Sequence, residues 1–330
     1  MRKPTRAEAR CSEIRGSDVK PQPPLAIVTG ATGFIGSWCA SRLARDGWSV
    51  VGLDRNWPNP TSPAHPEYVD FIITELNSPD AVRNLIEHHA PRAIVHAAGP
   101  ASVENSFADP HADFTGQVMP WLSILEAVRL SGSPASVVLC SSAAVYGNPA
   151  LLPVKETSEL KPISPYGFHK LHKEMLLSEY ITLHGLRGSI ARIFSTFGPG
   201  LRKLAVWDIT RRMMAGDQRV HGTGLETRDY LYVEDVAAAL ARIVESAPNG
   251  GEAYNVASGT ETSIFDMAGM VGRELGLTRT AIACSPAELE SKGKPIRWCA
   301  DTAALQALGL NETISLSTGI ARTVEWISSQ

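Results

Sequence analysis

The sequence predicts an α/β fold, a doubly wound parallel sheet with a smaller C-terminal α/β lobe. Three observations lead there. A short apolar run, Leu25 to Val28, breaks into a turn at Gly30, with Gly33 and Gly36 following at three-residue spacing. Apolar strand-like runs then alternate with stretches of helical periodicity as far as residue 193, joined by short links. Past residue 195 the regularity loosens into shorter, Gly- and Pro-rich elements. Such alternation implies βαβ units and a parallel sheet covered on both faces.

The first strand is Leu25 to Val28, and a helix follows over about 34–46. Trp48-Ser-Val-Val-Gly-Leu53 reads as a second buried strand, closed by Asp54, and Tyr68 to Ile73 as a third. Val82, Leu85 and Ile86 fall at helical spacing within 79–89. Arg92 to His96 makes a fourth strand and Ser136 to Cys140 a fifth, with Leu186 to Ile193 after them. Long helical patterns cover 108–131 and 165–184, and Pro120 should kink the first. Shorter helices are expected at 203–215 and 234–246, and a short strand at Tyr254-Asn-Val256. Gly30, Asp54, His96 and Ser142 all fall at strand ends, where a ligand of an open α/β sheet binds.

Composition narrows the classes. The 330 residues have 44% hydrophobic and 20% charged side chains, ordinary for a globular protein. A net charge of −3 gives no electrostatic footprint for nucleic acid. No apolar stretch reaches the ~18 residues of a membrane span. The five cysteines are scattered and odd in number, which argues against a disulfide framework or zinc site and for a reducing cytoplasm. No metal is expected. Residues 1–23 mix Arg, Lys, Glu and Pro without an apolar core, so they read as a disordered tail rather than a secretory signal.

The motifs point to redox chemistry. Glycines at 30, 33 and 36 permit a tight turn and let backbone N–H groups approach a pyrophosphate at a helix N-terminus. Asp54, about 20 residues on, can accept both ribose hydroxyls of adenosine and repels a 2′-phosphate. This favours NAD, although the cation of Arg55 next to it could welcome that phosphate. Tyr166 and Lys170 are i and i+4, hence on one helix face. A phenol is a poor base at neutral pH, and a nearby ammonium favours its phenolate. Ser141-Ser142 after a strand completes the pattern.

From residue 24 onward the chain resembles the extended short-chain dehydrogenase/reductase family, in particular its NAD-dependent sugar-nucleotide epimerase/dehydratase group. The motifs occur in order: Thr29-Gly-Ala-Thr-Gly-Phe-Ile-Gly36, His96-Ala-Ala98, Ser141-Ser-Ala-Ala-Val-Tyr-Gly147, Pro165-Tyr-Gly-Phe-His-Lys170, Arg228-Asp-Tyr-Leu-Tyr-Val-Glu-Asp235 and Tyr254-Asn-Val-Ala-Ser-Gly259. The resemblance implies a Rossmann domain over 24–194 with 227–258, and a substrate lobe over 195–226 with 259–330. It assigns Ser142, Tyr166 and Lys170 to catalysis: Ser142 donates to the reacting sugar oxygen, Tyr166 is the acid/base, and Lys170 supports it and holds a ribose. It assigns Gly30, Gly33, Phe34, Ile35, Gly36, Asp54, Arg55, Glu75, Leu76, Ala97 and Ala98, with Tyr166 and Lys170, to NAD. It also implies that Ser142, Ser195 and Arg228 bind a nucleotide-diphosphate sugar, the guanidinium taking the diphosphate. The two long helices imply a homodimer.

The departures narrow the activity. Dehydratases and decarboxylases of the group carry carboxylates directly after the catalytic Ser/Thr, where this chain has Ala143-Ala144. His169 stands where a small residue often precedes the Lys and reads as a helix-surface side chain. Ser195 replaces a common Asn, and Gln117 and Pro120 replace an Asn and a Gly. The resemblance and these departures imply C4 epimerisation of a nucleotide sugar through a transient 4-keto intermediate. The alternative is an NAD(P)-dependent nucleotide-sugar dehydrogenase or 4-ketoreductase. A dinucleotide-binding sensor without chemistry is a third reading, disfavoured because Ser142, Tyr166 and Lys170 are all present.

Overall fold

The computed structural model describes residues 22–330, apart from 65, 222, 247–249, 279–282, 286–292 and 294. The expected tail at 1–23 lies almost wholly outside the described residues. Seven strands form one parallel sheet: β1 (Leu25–Thr29), β2 (Ser49–Asp54), β3 (Asp70–Ile73), β4 (Ala93–His96), β5 (Ser136–Ser142), β6 (Arg187–Ile193) and β10 (Glu252–Val256). Their order is β3-β2-β1-β4-β5-β6-β10. The chain winds outward from β1 in both directions, so the switch point lies between β1 and β4, where such sheets bind ligands.

Strand alternation builds two cores. On β1, Ala26 and Val28 pack on one face with Cys39, Ala40 and Leu43 of α1 (Phe34–Arg45) and Leu240, Ile243 and Val244 of α7 (Val233–Ser246). Ile27 turns to the other face, against Ile86 of α2 (Pro79–His89), Trp121 and Leu125 of α4 (Pro110–Ser131), and Leu177 of α5 (Pro165–His184). Each fully buried aliphatic or aromatic side chain contributes about 1.5–3 kcal/mol, and the near-continuous apolar strands follow from burial on both faces.

Local chemistry sets the helix ends. Ser164 caps α5 by accepting from Gly167 N–H, Pro165 takes the first turn, and Gly185 ends the helix at φ 70°. Asp109, Pro110 and Gly132 play the same parts for α4. The helix expected over 108–131 is α4, begun at the Asp109 cap, and a short helix that the sequence reading did not include, α3 (Val103–Ala108), precedes it. Pro120 lies inside α4, which continues across it as one element.

The C-terminal part is more ordered than its sequence suggests. β7 (Ser195–Phe197), β9 (Thr227–Tyr232) and β11 (Glu261–Ser263) form a three-stranded sheet, and β8 (Arg219–His221) pairs with β12 (Ala283–Ser285). α6 (Leu204–Met214), α8 (Ile264–Glu274) and α10 (Leu316–Ser328) bury a third apolar core with Phe197, Tyr230 and Tyr232, and α9 (Ala303–Gln306) precedes α10. Among the described residues no helix is long and apolar enough to cross a membrane.

Candidate active site

The glycine turn is a cradle that admits no side chains. Gly30 has φ 68°, its N–H donates to the Leu53 carbonyl, and a Cβ there would stand 2.7 Å from Ala98 N. A Cβ on Gly36 would overlap the Gly30 carbonyl. Gly33 caps α1 without a side-chain hydrogen bond, and the first turn, which includes Phe34 and Ile35, holds no acid. The free N–H groups and positive end of α1 therefore face the crevice, the arrangement that suits a pyrophosphate. Ala97 and Ala98, half-buried after β4, form the opposite wall of that turn.

Asp54 ends β2 beside the cradle. Its Oδ2 accepts from the Thr32 N–H at 2.9 Å and the Thr32 hydroxyl at 2.8 Å, and Oδ1 accepts from Arg55 N–H at 2.6 Å. A carboxylate has about four acceptor sites, so about one, on Oδ1, remains for a ribose hydroxyl. The Arg55 side chain is exposed. Glu75 is exposed and Leu76 buried just past β3, tied to the site where Thr74 N–H donates to the Asp54 carbonyl. These residues fit a dinucleotide.

The proposed catalytic side chains converge from β5 and α5. Ser142 is the last residue of β5, half-buried, its Oγ accepting from Ala144 N–H at 3.2 Å. The next residues, Ala143–Tyr146, form a short 3-10 turn. Gly167 lets the first turn of α5 close on it, since a Cβ there would be 2.7 Å from the Ala144 carbonyl oxygen. That contact brings Tyr166 to the Ser142 end of β5, and the Tyr166 N–H is held by Ser106 Oγ at 3.1 Å. Lys170 is buried one turn on, its Nζ donating to the Cys140 carbonyl at 3.1 Å and lying 5.5 Å from the Tyr166 ring centre. Ala143 and Ala144 are buried and offer only methyl groups.

Ser195 and Arg228 lie on the smaller sheet, on adjoining strands β7 and β9, where Ser195 is in register with Tyr230. The Arg228 guanidinium stacks 5.6 Å over Trp298 and donates to the Thr227 carbonyl. Burial pulls its pKa down, against the opposing pull of Tyr230 and the Glu226 carboxylate.

Sequence reasoning missed several supports. Glu174, one turn after Lys170, accepts from the Ser141 hydroxyl at 2.5 Å and from Arg192 at 2.8 Å, and so fixes the end of β5. Its i+4 spacing from Lys170 was the available signal. His169 is a correction: it is not a surface side chain but 8% exposed, paired with Asp113 of α4 at 2.6 Å. The reason is that α5 packs along α4 and so buries a wider stripe than a free helix would. His96 is fully buried, held by Thr29 at 2.9 Å and stacked on Trp121, and burial drives its pKa well down. Among the described residues no group of His, Cys, Asp and Glu is placed to hold a metal ion.

The NAD dependent epimerase/dehydratase family profile matches residues 26–257. The chain belongs to that family. It is 31% identical over 313 residues to a UDP-glucose 4-epimerase of Mycolicibacterium smegmatis, covering 92% of this chain and 98% of that one. It superimposes on the crystal structure of a Thermotoga maritima UDP-glucose 4-epimerase with UDP-glucose, at a TM-score of 0.82 and 26% identity, covering 92% and 99% of the two chains. A Thermus thermophilus UDP-glucose 4-epimerase solved with NAD gives 0.81 and 28%, covering 92% and 99%. NAD is the cofactor of this family.

Proposed function

We propose that this protein is an NAD-dependent nucleotide-sugar epimerase acting at C4, with a UDP-sugar as its substrate. The observation that carries the reading is the combination of Ser142, Tyr166 and Lys170 with Ala143 and Ala144. That set can remove and return one hydroxyl proton but holds no acid for dehydration beside it. Tyr166 takes the proton of the C4 hydroxyl, and Ser142 donates a hydrogen bond to the same oxygen. Lys170 stabilises the phenolate and the changing charge, preorganised by its bond to the Cys140 carbonyl. Bound NAD supplies reversible oxidation at C4. The 4-keto sugar turns while Arg228 and Ser195 hold its diphosphate, and Tyr166 returns the proton on the other face.

The similarity to UDP-glucose 4-epimerases supports the choice of sugar nucleotide. We further infer that residues 24–194 with 227–258 bind the cofactor and that 195–226 with 259–330 bind substrate. The separate apolar core around α6, α8 and α10 supports that division. A homodimer through α4 and α5 is supported by apolar side chains left exposed there, including Phe114, Met119, Phe168, Met175 and Leu183. Cys39, Cys140 and Cys299 are free thiols, in keeping with the cytoplasm. The test is a thermal-shift screen of UDP-, GDP-, CDP- and dTDP-sugars, followed by analysis of the product. A ligand at 100 times its Kd adds about 2.7 kcal/mol. Steady consumption of added NAD(P)H instead of isomerisation would favour the ketoreductase.

A further inference from the structure

One turn past Lys170, α5 buries a second lysine. Lys173 is wholly buried, and its Nζ has no hydrogen-bond partner among the described residues. Of the other buried atoms in that condition, two lie close by, His96 Nε2 at the end of β4 and Gln117 Oε1 on α4. All three belong to one neighbourhood. Trp121 stacks on His96 at 5.0 Å and donates through its indole N–H to the Lys173 carbonyl at 3.0 Å, and Gln117 precedes Trp121 by one turn on α4.

The groups facing Lys173 are His96 from β4, Cys140 from β5, Asp113 from α4 and Lys170 on its own helix. The one carboxylate among them, Asp113, is engaged by His169. Burial, and after it the neighbouring Lys170, press the Lys173 amine towards its uncharged form. Unpartnered buried polar atoms gathered in one place are the usual setting of internal water, which binds about two to four polar partners.

We propose that Lys173 Nζ, His96 Nε2 and Gln117 Oε1 hold internal water, and that Lys173 is a positioning residue of the reaction. Through that water and Lys170 it takes up the proton that the Tyr166 hydroxyl releases in becoming a base. The transfer balances. The Tyr166 O–H bond breaks and its electron pair stays on oxygen. Lys170 passes one proton inward and regains one from Tyr166, and a new N–H bond forms on Lys173. The proposal rests on Tyr166 being the base of the epimerase reading.

Lys173→Met keeps the side-chain length and removes the amine. Equilibrium unfolding of both proteins, as purified with cofactor, is followed from pH 7 to 9. An amine uncharged in the folded protein and protonated in the unfolded chain leaves the folded state binding fewer protons. Wild type should then gain on the variant by close to tenfold in unfolding constant per pH unit. A difference that does not change with pH overturns the proposal. In turnover, the variant should lose at least tenfold in kcat at pH 7 with KM unchanged, and the acidic limb of kcat should move up by a pH unit or more. An unmoved limb overturns the relay. Should that variant not fold, Gln117→Leu removes a ligand of the same water, and the same upward shift is expected, an unmoved limb again being decisive. A wild-type protein inert on every nucleotide sugar would sink the epimerase reading instead, and the unfolding slope would still stand.

Discussion

The carboxylate of Asp54 grips Thr32 twice, through its backbone N–H at 2.9 Å and its hydroxyl at 2.8 Å. The side chain assigned to the ribose thus also holds the glycine turn. Asp54→Asn keeps an acceptor for Thr32 but loses the charge. NAD affinity should fall about tenfold, and discrimination against NADP should shrink, because nothing then repels a 2′-phosphate near Arg55. Calorimetric titration with both dinucleotides checks it. Unchanged preference would remove Asp54 from the ribose.

Tyr166→Phe removes only the phenolic oxygen, so turnover should drop by about 10²–10⁴-fold or more while NAD binding stays near wild type. Lys170→Ala should impair both, because in its proposed role the ammonium serves phenol and ribose alike. Single-turnover rates and cofactor retention separate the two outcomes. Near-normal turnover by Tyr166→Phe would refute the mechanism.

On the proposed reading, the buried methyl groups of Ala143 and Ala144 exclude dehydration. Turnover in D₂O should give a product of unchanged mass, without solvent deuterium at C4, C5 or C6. Mass spectrometry and NMR read it. A product 18 mass units lighter, or deuterium at C5, would point to a carboxylate recruited from elsewhere.

Burial raises the Asp235 pKa to about 6, while the Ile314 N–H bond to its Oδ2 pulls the other way. The folded state therefore holds this proton more tightly than the unfolded chain. Its stabilising effect is full below about pH 4 and is lost as pH rises through about 6. Asp235→Asn keeps an oxygen for Ile314, so it should remove this fall and be the more stable protein at pH 7. Melting curves at pH 4, 5, 6 and 7 test this, and a parallel pair of profiles would refute it.

Phe168 and Met175 lie exposed on α5. Phe168→Glu with Met175→Glu should convert a dimer to a monomer without unfolding it, as light scattering after gel filtration would show. A wild-type monomer would refute the proposed interface.

The sheet and its helices were legible because burial on both faces leaves nearly unbroken apolar strands, and α5 was legible at 165–184 because its apolar residues recur every three or four positions. The glycine cradle and the Tyr166–Lys170 pair were legible because their chemistry is tied to local spacing. β7, β9 and β11 were not, being at most six residues long and mixed in polarity. His169, Asp113 and Glu174 were obscured for another reason. Their partners lie 18 to 56 residues away, and only the packing of α5 on α4, β5 and β6 brings them together.

The edge strand β10 pairs with β6, yet the chain between them builds β7 and β9 of the smaller sheet. Neither sheet can be completed from one continuous stretch of chain. Heat or denaturant should thus meet the two sheets as one cooperative unit, and a proteolytic cut between β6 and β10 should weaken both together. The lobe proposed to recognise the sugar could not be exchanged for a relative's by a single splice, so on that reading a change of substrate would have to come through side chains.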